Sequence, residues 1–490
     1  MINFKDSILV NGKLYWFVFG IAGLLGIAYS LSVGNMMMFT AVVSMPLAFI
    51  TLMGILDKPS ILLYIIFTVN YFIMGITRYI VIDGVSVLID VLFVTLLLIM
   101  YVHSALKQNI QWHDALNLLT FISVVWMAYC LLELVNPTGM VELWFRSRGL
   151  MYYGLICSIC ASVLIQEYKQ VKLIVNLYAI FSLIAVLKAL MQKFVGFDSY
   201  EMTWLIESES MKTHILATGV IRYFSIFTDG GNCGSNMGAS GIIFLIMAFY
   251  TKNRGLKIFY GLVGVLSTYV MFMSGTRGAM IVPLGGLALF TVVSKNFKAM
   301  MSGGIVLVVM YVFFAFTNIG EGNMMIRRMR TAFRPNEDSS YKVRKINQAR
   351  LAEYLKAKPF GEGLGLSGSE GLKYTVRLTT QIPNDSWYVK IWVETGVVGL
   401  TVYLLGLIMV LLKCMHTLMF KVKERELYGV SASLLCGVFG LLLSAYGNPF
   451  FGQFPTMIIA YTFLSIVLKT DKFEQSYIET KGKLIEEKNI

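Results

Sequence analysis

Two arginines stand at the ends of long apolar runs, where a charged side chain is costly. Arg277 lies in the turn SGTRGA at 274–279, between two apolar runs, with small residues on both sides. Arg222 comes shortly before the apolar run that begins near residue 236. Charged groups at membrane depth usually serve a function, so we predict a functional role for both. The alternatives are snorkelling of Arg277 into the interface and pairing of Arg222 with Asp229.

Cations also fill the polar stretch 319–388. Its basic residues are Arg327, Arg328, Arg330, Arg334, Lys342, Arg344, Lys345, Arg350, Lys356, Lys358, Lys373 and Arg377. One interpretation is a solvated face that contacts lipid headgroups, and the other is a site for an anionic substrate. Within the stretch, Asp338 provides an N-cap for a predicted helix through Lys358, which Pro359 and Gly361 stop.

The elements that carry these residues are membrane helices. Of the 490 residues, 57% are hydrophobic and 14% are charged, and the mean hydropathy is +0.70. Soluble globular chains are about 45–50% apolar and about 25% charged. Apolar runs of about 20 residues recur, each long enough to cross the roughly 30 Å hydrocarbon layer. We therefore predict an all-α, polytopic transmembrane bundle of about 12–14 spans with a large helical outward loop, and not a soluble enzyme.

The apolar runs also predict how the chain is divided. Spans are expected at 14–33, 36–56, 61–78, 86–103, 115–134, 148–166, 172–190, 236–251, 257–273, 279–294, 302–318, 389–413, 428–446 and 453–469. The resulting regions are N-terminal helices (1–190), a first outward loop (191–235), central helices with the Arg277 turn (236–318), a large outward loop (319–388), C-terminal helices (389–470) and a tail (471–490).

The connections between spans differ in charge, which predicts their orientation. With the N-terminus in the cytoplasm, Lys and Arg crowd the inner connections, as Lys252, Arg254 and Lys257 do, while most short outer connections carry few. The positive-inside rule then gives N-in and C-in, with both long loops outside. The net charge of +13 follows this distribution, so we expect no nucleic-acid partner.

Cysteine and carboxylate spacing points to no metal or cofactor. The six cysteines lie mostly within or beside apolar runs, and the CxxC at 157–160 has no second pair or nearby His. We expect them to be packing residues. No outward group of carboxylates or His has the spacing of metal ligands.

The motifs around the two arginines are similar to those of a known family. SGTRGA, with Arg277, resembles the Ser-x-Ser-Arg-Gly-Ala turn of the bacterial O-antigen ligase and polymerase superfamily. Arg222-x-x-Ser-x-Phe227 resembles that family's Arg-x-x-Gly-x-Phe region, with Ser225 in the place of the glycine.

Two further motifs follow in the family's order. The run from Asp338 to Arg344, followed by KPFGEGLG at 358–365, is similar to the start of the family's large periplasmic loop. PNDSW at 383–387 and ETGVVGL at 394–400 resemble its close and the next span. The resemblance covers about residues 215–415.

The resemblance implies a metal-independent, GT-C-like multi-span glycosyltransferase in the bacterial inner membrane, acting at the periplasmic face. Its donor would be a glycan on undecaprenyl diphosphate, and its acceptor a glycan or lipid, in a polysaccharide assembly pathway. The departing diphosphate gains negative charge that fixed guanidinium groups stabilise. Arg222 and Arg277 are the expected catalytic cations, with Arg344 and Arg350 as substrate-binding helpers. No cofactor is expected.

The reaction also needs a general base for the acceptor hydroxyl. Ligases of this family place a His near the end of the loop, where this chain has Asn384 and its second long loop has no His. The lack of this His favours a polymerase over a ligase. Asp385 is the nearest base, with a helix N-cap as the alternative role. Glu394 is a weaker candidate for the base and is also expected to bind substrate; it equally fits a buried charge paired with an Arg.

Two other residues are expected at the substrate. Asp229 lies near Arg222 in sequence, and Trp387 could stack on a sugar ring or belong to an interfacial aromatic belt. Three functions stay open: a polymerase of O-antigen, capsule or exopolysaccharide, a ligase to lipid A–core or protein, and a flippase of lipid-linked oligosaccharides. The chain shows no duplication of the kind frequent in transporters, which disfavours the flippase.

Overall fold

A computed structural model describes residues 50–80, 84–107, 110–216, 219–295, 297–333 and 339–486. The predicted span at 14–33, most of that at 36–56 and the predicted N-cap at Asp338 lie outside the described residues. Close contacts divide the chain into units 1–62 and 63–490. All residues of the candidate site belong to the second unit.

Apolar helices make up most of the described chain. Eight described helices are long and apolar enough to cross a membrane, and four shorter ones are also apolar. The helices are α1 (Ser60–Ile76), α2 (Val85–Lys107), α3 (Leu118–Leu132), α4 (Arg148–Leu164), α5 (Tyr168–Phe194), α6 (Gly230–Tyr250), α7 (Arg254–Met273), α8 (Ile281–Val293), α9 (Phe297–Phe316), α10 (Trp387–His416), α11 (Arg425–Ser444) and α12 (Thr456–Leu468). Each predicted span from 61–78 onward falls on one of them. The described ranges contain no strand, which confirms the all-α polytopic fold there.

Both long polar interruptions contain helices of their own. The first holds Ser199–Glu207, which the Asp198 carboxylate caps by accepting from the Glu201 N–H at 2.9 Å, and Met211–His214. The second holds Met324–Arg330, Ser339–Leu355, Gly368–Leu372 and Leu378–Gln381.

Ser339–Leu355, here called the loop helix, lies against α10. Its Leu351 and Leu355 pack in one buried cluster with Ile382 and Val393, while Lys345 and other basic residues face outward. One face of the helix is thus buried and the other is exposed. The helix ends at Leu355, a few residues before the predicted stop.

Helix α6 lies at the centre of the bundle, in contact with α7, α8 and α11. Within lipid, small residues let helices approach closely, and α8 and α11 show this directly. A Cβ on Gly286 would stand 2.8 Å from Cys436 O, and one on Gly440 would overlap the Val282 carbonyl. The backbones of α8 and α11 are therefore in contact beside the arginine turn.

The segment GEGLG at 361–365 forms a packed clasp on the connection between α3 and α4. Glu362 is buried and accepts from Lys358 Nζ at 2.6 Å and from Arg377 Nη1 at 2.7 Å. Arg377 Nη1 also donates to Thr138 O at 2.7 Å. Gly363, with φ +109°, packs on the backbone there. The turn at Gly363 packs tightly because its backbone contacts the backbone of Gly139.

The connections gather into two groups at opposite helix ends. One group joins the long loops, as in the Glu362 clasp. The other includes the buried Lys469, whose Nζ contacts Asp114 at 2.8 Å, and Lys421, which pairs with Asp471 at 2.9 Å. This grouping is the one expected of helices that cross a membrane in alternating directions.

Replacement of Gly440 by Leu should lower the melting temperature of the detergent-solubilised protein, because the side chain would force α8 and α11 apart. Overpacking of this kind costs about 1–3 kcal/mol. Gly304→Leu in α9 is the control, since a Cβ at Gly304 meets nothing within 4 Å. Equal melting temperatures for the two variants would contradict the close α8–α11 contact.

Candidate active site

Arg222 is tied to the turn that carries Arg277. Its Nη2 donates to Thr276 Oγ1 at 2.9 Å, and its Nη1 donates to Thr213 O at 3.1 Å. The Thr276 hydroxyl in turn donates to Gly230 O, at the start of α6, at 2.8 Å. The structure thus brings together the two arginines that the sequence singled out.

A third arginine reaches the same turn. Arg328, in Met324–Arg330, donates from Nε to Gly275 O at 2.6 Å. Arg277 Nη1 donates to Thr331 Oγ1 at 3.2 Å. The start of the large loop is therefore fastened to the turn, and three arginine side chains lie at it.

The charge of Arg222 is poorly compensated. Burial is the main cause that lowers its pKa from the usual value; the Asp229 carboxylate opposes this effect, and the nearby charge of Arg277 adds to it. Within the described ranges no acceptor reaches the buried Nε of Arg222. A buried donor without a partner costs about 1–3 kcal/mol. An anion beside Arg222 and Arg277 would supply both an acceptor and a counter-charge.

Glycines permit this close approach. A Cβ on Gly234 would overlap Ser274 Oγ, so α6 packs directly against the turn. Gly275 has φ +60°, a left-handed conformation that other residues rarely adopt. Larger residues at either position would displace the turn from Arg222.

Arg78 clamps the segment that carries Arg222. It follows α1, is 5% exposed, and donates to Ser225 O at 2.6 Å and to Phe227 O. Its guanidinium also lies 4.5 Å from the Trp204 ring centroid. Burial lowers the pKa of Arg78 to about 10, so the group stays charged at neutral pH. Arg78 fixes the backbone that presents Arg222.

Ser225 adopts a backbone conformation that favours glycine, with φ +51°. Its hydroxyl donates to Ala185 O at 2.6 Å, and its N–H donates to Gln192 Oε1 at 2.8 Å. A non-glycine residue pays about 1–2 kcal/mol for a left-handed conformation. Its hydrogen bonds, with that from Arg78, explain how serine stands where the similar motif has glycine.

Asp385 and Arg344 meet beside the turn. Arg344 Nε lies 3.9 Å from Asp385 Oδ2, and both side chains are 37% exposed. Arg344 also lies close to Gly447, which packs on Gly278, the residue after Arg277. The predicted base and one predicted helper are therefore neighbours of the arginine turn.

The alternative role of Asp385 as a helix cap is wrong. Helix α10 begins at Trp387, and its N-cap is Ser386, whose Oγ accepts from Val389 N at 3.5 Å. Burial raises the pKa of Asp385 above its usual value, and Arg344 opposes the shift. The carboxylate is thus a stronger base than an ordinary Asp.

Asp229 is the N-cap of α6. Its Oδ1 accepts from the N–H groups of Gly231 at 2.5 Å and Asn232 at 3.0 Å. It acts on Arg222 through its charge, while the side-chain hydrogen bonds of Arg222 go to neutral oxygens. Asn448 stands over the same helix end, because a Cβ on Gly231 would overlap its Nδ2.

Trp387 packs in the bundle. It is 2% exposed, and its Nε1 donates to Tyr403 OH at 3.0 Å. Its ring covers Gly452. This burial argues against stacking on a sugar and makes Trp387 the packing anchor at the start of α10.

Glu394 and Arg350 lie apart from the arginine turn. Glu394 is completely buried in α10, 3.8 Å from Lys390 Nζ, and accepts from the Ser367 hydroxyl. This is the buried ion pair of the sequence interpretation, with a lysine as partner, and the burial argues against substrate contact. Arg350 is exposed on the loop helix, and its role as a helper stays a prediction.

Sequence reasoning missed Arg78, Arg328 and Asn448. Arg78 stands at the outer end of a predicted span, so the cost of charge at membrane depth could have identified it. Arg328 is one of many cations in the large loop, and nothing in their spacing distinguishes it. Asn448 carries no charge, so no comparable sequence signal marks it.

Two replacements of Ser225 should separate the effect of its left-handed backbone on stability from the effect of its hydroxyl hydrogen bond. Ser225→Ala keeps the left-handed residue and loses the bond to Ala185 O, so it should destabilise the protein by about 1 kcal/mol. Ser225→Gly loses the same bond but relieves the strain, and should melt at a higher temperature than the Ala variant. Thermal unfolding in detergent measures both, and the reverse order would refute the left-handed assignment.

Residues 262–404 match a family model described as O-antigen ligase. The match spans most of α7, the Arg277 turn, the large loop and the first half of α10, and it includes Arg328, Arg344 and Asp385. It confirms, over that part of the chain, the resemblance to the O-antigen ligase and polymerase superfamily. With the apolar helices, it indicates a multi-pass membrane protein of ligase or polymerase type. No curated protein matches the chain significantly.

Proposed function

We propose, from the O-antigen ligase match of residues 262–404, that this protein is a polysaccharide polymerase of the bacterial inner membrane. It transfers a glycan from undecaprenyl diphosphate to a sugar hydroxyl of another lipid-linked glycan at the periplasmic face. The product would be O-antigen, capsule or exopolysaccharide. The observation that carries the proposal is the cluster of Arg222, Arg277 and Arg328 around one turn.

A lipid diphosphate fits this cluster chemically. It presents several anionic oxygens, which arginine can grip with two parallel N–H groups. The buried Nε–H of Arg222, which has no acceptor in the described ranges, is available to such an oxygen. The turn lies at the ends of α6 and α7, so if these two helices cross the bilayer, the turn meets the headgroup of a lipid-anchored donor.

In the reaction, the acceptor hydroxyl oxygen attacks the anomeric carbon of the donor sugar. The bond from that carbon to the phosphate oxygen breaks, and its electron pair stays on the departing diphosphate. The hydroxyl proton passes to Asp385, which later releases it to water. Charge grows on the leaving group, so fixed arginines stabilise the transition state more than the ground state. These cations supply the positive charge without a metal.

Asp385 suits the role of base. Its half-buried side chain keeps access to solvent, and burial raises its pKa, which strengthens it as a proton acceptor. Arg344, 3.9 Å away, opposes this rise in the pKa. The two residues work as a pair beside the diphosphate site.

The periplasmic location follows from charge. The site lies at the helix ends where both long loops gather, and the positive-inside rule assigns these ends to the outside, with N- and C-termini in the cytoplasm. A lipid-linked glycan that has already crossed the membrane would reach the arginines from the outer leaflet.

An O-antigen ligase would use the same chemistry with lipid A–core or protein as acceptor. We favour the polymerase because Asn384 stands where similar ligases have a His and the second long loop has none. A flippase would also bind the diphosphate, but it needs no base, and Asp385 beside the arginines favours an enzyme.

Two assays test the proposal. Purified protein mixed with lipid-linked repeat units should form glycosidic bonds, whereas leaflet exchange without bond formation would indicate a flippase. A deletion strain should accumulate single lipid-linked repeats; full-length unattached chains would indicate a ligase instead.

Replacement of Arg277 by Ala should abolish the ladder of polysaccharide chain lengths, because one transition-state cation is lost. Losses of this kind cost about 100- to 1,000-fold in rate. Arg254→Ala is the matched control: an exposed arginine at the opposite end of α7. Gels of surface polysaccharide and membrane blots measure both, and a normal ladder in Arg277→Ala would refute its role.

Replacement of Arg344 by Gln should move the acid limb of the pH–rate profile to higher pH. Activity requires ionised Asp385 and is lost as pH falls through its pKa; removing the cation raises that pKa further. Lys342→Gln, an exposed change on the same helix, should leave the limb in place. A shift to lower pH, or no shift, would count against Asp385 as the base.

A further inference from the structure

Glu394 is a buried carboxylate that the proposed reaction does not use. It lies within α10, is completely buried, and one oxygen, Oε1, accepts from the Ser367 hydroxyl. The other oxygen, Oε2, has no hydrogen-bond partner in the described ranges. The nearest cation, Lys390, is 3.8 Å away and 29% exposed. A buried carboxylate with so little compensation is costly, so its presence needs a reason beyond packing.

The hydrogen bonds lead from Glu394 toward the proposed base. The Ser367 hydroxyl that donates to Glu394 accepts from Asn384 Nδ2 at 2.8 Å. Asn384 directly precedes Asp385. The neighbouring Gly368, with φ +59°, lies against the Asn384 side chain, where a Cβ would stand 2.7 Å from Nδ2. Glu394 is thus joined to the residue beside Asp385 through one hydroxyl.

The other side of Asp385 is fixed independently. Trp387 N donates to Ala445 O at 2.9 Å, and Ser386 caps α10. Asn384 is therefore the part of this segment whose position depends on the hydrogen bonds that lead from Glu394 through Ser367. If the side-chain amide of Asn384 turned away from Ser367, only the backbone on the N-terminal side of Asp385 would become free to move.

The backbone of α10 fixes Glu394 itself. Gly363 N donates to Glu394 O at 3.0 Å, and Tyr129 OH donates to Thr395 O at 2.7 Å. Gly396, with φ +68°, breaks the helical conformation just beyond. The carboxylate is consequently presented from a rigid site, as a positioning group requires.

We propose that Glu394 is a positioning residue for Asp385 and acts through Ser367 and Asn384. Its negative charge strengthens the bond from Ser367 and orients that hydroxyl so that a lone pair faces Asn384 Nδ2. This order holds Asp385 at the acceptor hydroxyl, beside Arg344. The inference rests on the proposed function, in which Asp385 accepts the proton.

The consequence is a specific kinetic signature. Glu394 touches neither substrate nor the arginine turn, so its loss should leave donor binding intact and misplace only the base. Small misplacements of reacting groups cost up to about 100-fold in rate. We expect Glu394→Gln and Ser367→Ala each to lower kcat roughly 10-fold with KM nearly unchanged. Ser367→Thr, which keeps the hydroxyl, should recover most of the rate.

The decisive measurement is a double-variant cycle on the purified full-length protein with lipid-linked repeat units. If Glu394 acts through Asp385, Glu394→Gln should have no further effect on the residual rate of Asp385→Asn. A further loss in that background would overturn the proposal, as would a wild-type kcat in Glu394→Gln.

Glu362→Gln is the matched structural control. Glu362 is also a buried loop carboxylate, but its partners are Lys358 and Arg377. This variant should lower the melting temperature while kcat per folded molecule stays unchanged. If Glu394→Gln behaves like it, Glu394 only stabilises the loop and the inference fails. If the wild-type protein forms no glycosidic bond, the proposed function itself fails, and this inference with it.

Discussion

The arrangement depends on holding three like charges around one turn. Hydroxyl and carbonyl oxygens help to orient all three arginines: Thr276 Oγ1 accepts from Arg222, Thr331 Oγ1 accepts from Arg277, and Gly275 O accepts from Arg328. Neutral acceptors fix the direction of a guanidinium group while leaving its charge in place. Burial, and to a smaller extent the charge of Arg277, lowers the pKa of Arg222, and an anionic ligand would offset both effects.

Two carboxylates of the described residues have structural partners. Asp229 caps α6, and Glu362 binds Lys358 and Arg377 in the clasp that fastens the large loop. Asp385 is the exception, because it faces Arg344 at 3.9 Å while remaining partly exposed. The carboxylate that the proposed reaction uses as its base is thus partly exposed, whereas Glu362, which anchors the large loop, is buried.

The backbone around Arg222 shows how much support such a site requires. Ser225 holds a left-handed conformation, and Arg78, Gln192 and Ala185 all bond to it. Each of these partners comes from α5 or from the end of α1, far away in sequence. Without them the serine would relax to an ordinary conformation and Arg222 would lose its direction toward Thr276. Rigid helices therefore determine the geometry of a loop residue.

The sequence alone determined the helical membrane architecture and singled out Arg222 and Arg277. Both follow from the free-energy cost of exposing polar backbone or charge to lipid. This cost shapes the composition of the chain and the local order of its residues, so the sequence shows it. It could not distinguish Arg328 among many loop cations, and it assigned Trp387 and Glu394 to the substrate although both are buried. Whether an aromatic ring or a carboxylate faces solvent or the interior depends on which helices pack over it. Only the tertiary structure decided those contacts, because they join residues whose proximity no local pattern records.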